Sequence, residues 1–103
     1  SEPMKHSVAR TGDIPPGTAK PFNVEGADVL VCNVDGSFYA IEDVCTHDGG
    51  ALDQGTLEGR CVICPRHGAM FDVETGAALT LPAVIPLQTF AVSVEGDAIS
   101  VEL

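Results

Sequence analysis

The chain has 103 residues, 45% of them hydrophobic, with no Trp and one Tyr, so any core must be modest and built mainly from Val, Ile, Leu, Ala and Phe. Fifteen acidic residues against five basic ones give a net charge of −10, which argues against a nucleic-acid binder held by phosphate contacts. No apolar run approaches the ~20 residues that cross a bilayer, and Ser1-Glu2-Pro3-Met4-Lys5-His6 carries no signal-peptide stretch. The expected setting is cytoplasmic, without a membrane, and one domain is expected over residues 1–103.

In chain order, β-rich runs bounded by Gly, Asp and Pro predict strands at 5–9, 19–24, 28–34, 37–42, 60–63, 70–72, 87–94 and 98–102. Pro15-Pro16-Gly17 reads as a turn and rules out helix there. Asp35-Gly36 is a type I′ hairpin signal, and Glu25-Gly26-Ala27 and Glu95-Gly96-Asp97 mark two more tight connections. Partial alternation in Phe90-Ala91-Val92-Ser93-Val94 and in Ala98-Ile99-Ser100-Val101 fits half-buried strands. No stretch has sustained helical periodicity, so the predicted class is all-β.

Two short pairs carry the chemistry: Cys45-Thr46-His47 and, beyond the sixteen residues 48–63, Cys64-Pro65-Arg66-His67. Each offers a thiolate and an imidazole from a Gly-rich segment between strands. Two thiolates and two imidazoles suit zinc, and equally a two-iron cluster with one iron held by sulfur and the other by nitrogen. Of the other two cysteines, Cys32 sits in the apolar run Val29-Leu30-Val31-Cys32 and reads as a small buried hydrophobe. Cys61, in Cys61-Val62-Ile63-Cys64, lies within a strand run and reads as structural. His6 reads as an ordinary strand or surface residue.

The neighbours of the pairs make a resemblance specific. Cys45-Thr46-His47-Asp48-Gly49-Gly50-Ala51-Leu52, then Gly55 and Leu57-Glu58-Gly59, then Cys64-Pro65-Arg66-His67-Gly68-Ala69-Met70-Phe71-Asp72, Thr75-Gly76 and Pro82 resemble the cluster-binding region of Rieske-type [2Fe–2S] proteins. Looser similarity to the ferredoxins of bacterial aromatic-ring oxygenases extends over nearly the whole chain. The resemblance implies a Rieske-type antiparallel β-sandwich with a small cluster-binding subdomain of two loops at one end, over about 43–82. It implies one [2Fe–2S] cluster per chain, with Cys45 and Cys64 on one iron and His47 and His67 on the other. Gly49, Gly50 and Gly68 would let backbone N–H groups approach the sulfurs, Pro65 would stiffen its loop, and Pro82 would belong to a third loop covering the cluster. Asp72 and Thr75-Gly76 read as a turn.

Departures from the family's high-potential members set an expectation for the reduction potential. Those members bridge the two loops with a disulfide, whose positions hold Gly50 and Arg66 here. They also place Ser and Tyr hydroxyls near the sulfurs, where this chain has Ala69 and Phe71. Fewer hydrogen bonds to sulfur imply a potential of about −150 mV, the low end of the Rieske range.

The implied function is a monomeric one-electron carrier, not itself an enzyme, between an NAD(P)H-dependent flavin reductase and a terminal oxygenase for aromatic compounds. Asp48, Asp53 and Arg66 are the charged candidates for docking at the tip. A small subunit of an enzyme complex such as NADH-dependent nitrite reductase is a competing reading, and a structural Cys₂His₂ zinc domain a more distant one.

Overall fold

A computed structural model describes residues 4–46, 48–53, 55–81 and 85–103. Ten strands follow in order: β1 (Lys5–Arg10), β2 (Ala19–Val24), β3 (Ala27–Val34), β4 (Ser37–Glu42), β5 (Thr56–Glu58), β6 (Cys61–Ile63), β7 (Met70–Asp72), β8 (Thr89–Phe90), β9 (Val92–Glu95) and β10 (Ala98–Glu102). The only helical element among the described residues is a 3₁₀ turn at Thr11–Asp13. The strands form three antiparallel sheets, ordered β1-β10-β9, β2-β3-β4-β8 and β5-β6-β7.

The β2–β3–β4–β8 sheet is the middle layer, and the strand period of two explains how. On β3, Val29 and Val31 join Ala40, Ile99 and Val101 in one apolar cluster, shared with the β1-β10-β9 sheet. Leu30 and Cys32, on the opposite face, join Ile41, Val62, Phe71 and Leu87 in a second cluster, shared with the β5-β6-β7 sheet. A strand buried on both faces has no polar alternation, hence the unbroken run Val29-Leu30-Val31-Cys32. Buried Asn33 is satisfied: its Nδ2 donates to the Ile14 carbonyl at 2.7 Å, and its Oδ1 accepts the Gly36 N–H at 2.8 Å.

The hairpin signals translate directly. Asp35 (φ 52°) and Gly36 (φ 95°) are both left-handed, as a type I′ turn requires, and Val34 pairs with Ser37 across it. Glu25 (φ 50°) and Gly26 (φ 86°) make an equivalent two-residue turn, with Ala27 already in β3.

One expectation is corrected. The sequence run 87–94 is not one strand: Thr89–Phe90 pairs with β4, whereas Val92–Glu95 pairs with β10. The chain changes sheets at Ala91, whose carbonyl accepts the Glu102 N–H at 2.9 Å. A strand the sequence did not predict, β5, also pairs with β6, and with the expected β6 and β7 it completes a three-stranded sheet beside the paired loops.

Candidate metal centre

The two Cys/His segments fold on one hydrogen-bond plan. In the first, the Cys45 N–H donates to the Gly50 carbonyl (2.7 Å), and the Gly49 N–H returns to the Cys45 carbonyl (2.7 Å). In the second, the Cys64 N–H donates to the Ala69 carbonyl (2.8 Å), and the Gly68 N–H returns to the Cys64 carbonyl (3.0 Å). Each loop is thus an i+4→i turn closed by a left-handed glycine, Gly49 at φ 76° and Gly68 at φ 72°. The glycine amides themselves have other partners. Those of Gly49 and Gly68 are committed to cysteine carbonyls and that of Gly50 to Asp48 Oδ1 (2.8 Å), because closing so short a loop consumes them.

The plan brings both cysteines inward and together. Cys45 and Cys64 are 0% and 1% exposed and sit in the cluster of Leu30, Ile41, Val62 and Phe71. Neither is in a disulfide. Their sulfurs and a carboxylate oxygen of Asp48 all lie within 4.8 Å of one another. His67 stands at the rim, its side chain 37% exposed, with Nε2 2.9 Å from Asp48 Oδ2. His47 and Pro82 lie outside the described residues. The donor set of buried converging sulfurs with an imidazole at the surface fits a group that takes thiolate on its inner side and nitrogen on its outer side.

Three polar ties hold the loops. Asp43, just past β4, accepts the N–H groups of Leu52 and Asp53 on one oxygen at 2.8 and 2.9 Å, closing the base of the first loop. Burial pushes its carboxyl above the ordinary range, against the pull of those two donors. Thr46 Oγ1 donates to the Ile85 carbonyl at 2.6 Å, tying the first loop to the segment after β7. Between the two loops, Arg66 Nε and Nη2 donate to Asp48 Oδ2 and Oδ1 at 2.5 and 3.2 Å. The guanidinium first, then the Gly50 N–H, hold the Asp48 carboxyl well below the usual carboxylate range.

Asp48 and Arg66, two of the charges expected at the tip, lie eighteen positions apart in sequence and meet across the loops as an ion pair. Asp53 is likewise engaged, against Asp43. Asp43 drew no attention in the sequence, and only its position directly after a strand and before a ligand loop could have flagged it. The turn reading of Asp72 holds, since its Oδ1 accepts the Glu74 and Thr75 N–H groups at 2.8 and 3.1 Å and its carbonyl that of Gly76. Cys32 is fully buried in β3, Cys61 is half-buried in β6, and His6 lies in β1 opposite Val101.

Comparison with known proteins matches this geometry to a family. Residues 4–91 match the Rieske [2Fe-2S] domain. The ferredoxin component of biphenyl 2,3-dioxygenase from Rhodococcus jostii (strain RHA1) is 45% identical over 96 residues, 93% of this chain and 90% of that protein. The solved ferredoxin of carbazole 1,9a-dioxygenase from Nocardioides aromaticivorans IC177 superposes with a TM-score of 0.90 at 37% identity, covering 98% of this chain and 97% of that one. A chain in the solved complex of reduced oxygenase and oxidised ferredoxin of carbazole 1,9a-dioxygenase gives a TM-score of 0.90 at 39% identity, over 94% of this chain and 91% of that one. With two like-folded loops converging their thiols on one point, and with the family match spanning nearly the whole chain, the protein belongs to the Rieske [2Fe–2S] family, and its cofactor is a [2Fe–2S] cluster rather than a structural zinc ion.

Proposed function

We propose that the chain is a cytoplasmic one-electron carrier that takes electrons from an NAD(P)H-dependent flavin reductase and delivers them to a terminal oxygenase acting on aromatic compounds. The observation that carries this reading is the convergence of two buried cysteines, one from each loop, beside an exposed imidazole. In this reading Cys45 and Cys64 hold the cluster through sulfur and His47 and His67 through nitrogen, within a cluster-binding region at about 43–82 of one domain. When bound, the cluster supplies one reversible electron.

The chain's own residues supply position and a contact face. The buried cysteines keep the sulfur-held side dry, and His67 opens the nitrogen-held side to a partner. Three apolar side chains in the stretch after β7 are exposed: Leu79, Leu81 and Ile85, at 48%, 79% and 58%. They belong to the segment tied to the first loop by Thr46 and to β7 by the Leu79 N–H on the Met70 carbonyl at 2.8 Å. Exposed apolar side chains suit a transient partner contact. Charge supports a cationic partner. Four of the five basic residues, Lys5, Arg10, Arg60 and Arg66, pair with carboxylates, which leaves the excess of acidic groups to set the field that steers encounter.

Ala69 and Phe71, both fully buried, bring no hydroxyl to the sulfurs, so the midpoint potential is expected at about −150 mV, the low end of the Rieske range. The test is an EPR spectrum of the dithionite-reduced protein with iron and zinc analysis and a redox titration. A reduced-cluster signal, iron without zinc and a potential well below zero are expected. One zinc per chain without a signal overturns the electron-carrier reading; a signal with a positive potential overturns the low-potential carrier.

A further inference from the structure

Asp48 is saturated. Its Oδ1 accepts the Gly50 N–H (2.8 Å) and Arg66 Nη2 (3.2 Å), and its Oδ2 accepts Arg66 Nε (2.5 Å) and the Nε2 of His67 (2.9 Å). Those are the four acceptor sites of a carboxylate, all filled from within the two loops. Arg66 spends its donors in the same place, because Nη2 also donates to the Ala51 carbonyl at 3.0 Å. The guanidinium lies flat against Gly50, where a Cβ would stand 2.6 Å from its Cζ. A side chain at residue 50 would therefore displace the guanidinium, even though the φ of Gly50 is not in the left-handed region.

Every long-range contact in this group runs from the second loop to the first. Arg66 and His67 reach Asp48, Gly50 and Ala51, and the network ties the loops at the pair of positions, 50 and 66, where no covalent bridge exists. A forked arginine–carboxylate pair also fixes direction, which a lysine could not do.

We propose that Asp48 and Arg66 form an ionic clamp that positions His67. The carboxylate takes up the Nε2–H of His67 and so fixes the orientation of the imidazole. The guanidinium holds the carboxylate in place and locks the two loops together. Asp48 and Arg66 are positioning residues acting through His67, in the way that a carboxylate behind a metal-bound imidazole fixes its orientation. This inference rests on His67 being a cluster ligand.

The clamp makes a prediction that a purely structural tie does not. Asp48 and Arg66 carry opposite charges beside a group that becomes more negative on reduction. Removing either should speed cluster loss, but the potentials should move in opposite directions. Asp48→Asn removes a negative charge and should raise the midpoint potential; Arg66→Gln removes a positive one and should lower it.

The experiment compares as-purified wild type with Asp48→Asn, Arg66→Gln, Arg66→Lys and Gly50→Ala. The readouts are the rate of bleaching in excess chelator, the midpoint potential and the g-values of the reduced EPR spectrum. At least a tenfold faster bleaching is expected for the two charge-removing variants and for Gly50→Ala, which displaces the guanidinium. Arg66→Lys, which keeps charge but loses the fork, should hold its potential near wild type yet bleach faster. The g-values should shift in Asp48→Asn, whose amide cannot replace the saturated carboxylate. Far-UV circular dichroism identifies any variant that fails to fold, and the remaining variants then decide. Wild-type bleaching rates and potentials in all folded variants overturn the clamp and leave the ligand reading standing. Absence of a reduced-cluster signal in wild type itself overturns the ligand reading instead.

Discussion

At the residue scale, Cys32 shows how burial alone sets chemistry. It is 0% exposed in β3, and burial, with a smaller push from Asp43, raises its thiol from 9.0 to about 12. The unfolded chain releases this proton near pH 9.0, while the folded chain keeps it to about 12. Between those values the unfolded state binds fewer protons, so stability falls as pH rises, by about 1.4 kcal/mol per pH unit from this group. The contribution is intact below pH 9.0. Urea midpoints of wild type and Cys32→Ala measured on both sides of pH 9.0 should converge as pH rises, the variant starting lower and losing less; parallel curves would show that the thiol ionises normally. The burial of Cys32 was legible because its apolar neighbours are adjacent in sequence. The partnership of Asp48 with Arg66 was not, since its two halves are read in separate loops and meet only once both loops have closed. What the sequence did carry was the pattern around them, Cys45 with Gly49 and Cys64 with Gly68, where a glycine four positions on marks the same turn twice.

At the scale of elements, turn chemistry was the most legible feature and sheet membership the least. Both residues of the β3–β4 turn have positive φ, which Gly36 adopts without strain and any other residue adopts at a cost. A Cβ at Gly36 would meet nothing within 4 Å, so Gly36→Ala tests backbone conformation free of any clash. It should destabilise the protein by about 1–2 kcal/mol in urea unfolding at unchanged m. Gly12, with equally open space and no positive φ, is the control, and Gly12→Ala should stay within about 0.5 kcal/mol of wild type. Equal effects at the two sites would mean that the turn imposes no special backbone requirement. Sheet membership is a different matter. The alternation across 87–94 is only partial, and a strand that leaves one sheet for another can keep its period while changing its partners, so periodicity cannot reveal the switch at Ala91. For β5, three residues between Gly55 and Gly59, the pairing with β6 decides what local propensity does not.

At the scale of the molecule, the two apolar clusters divide the labour between fold and site. The cluster built on Val29, Val31, Ala40, Ile99 and Val101 contains no cysteine and joins the β1-β10-β9 sheet to the middle layer. The other contains both Cys45 and Cys64 and joins the middle layer to β6 and β7 through Val62 and Phe71. The β5-β6-β7 sheet is made of three-residue strands, too short to stand without what packs on them. A cluster bound by both loops adds a cross-link on this side only, and its binding energy becomes folding energy for the layer that it ties down. Removing the iron should therefore loosen one face and spare the other. Hydrogen exchange measured before and after iron is stripped by chelator under reducing conditions should show the amides of Val62 and Phe71 losing protection. Those of Val31 and Ile99 should keep most of theirs. Equal loss at all four would mean that the two faces unfold as one cooperative unit, and unchanged protection at Val62 would mean that the short-stranded sheet stands without the metal. The same asymmetry would let reconstitution begin from a formed scaffold: with the far cluster already packed, only the two loops and the sheet beside them have to close around the iron.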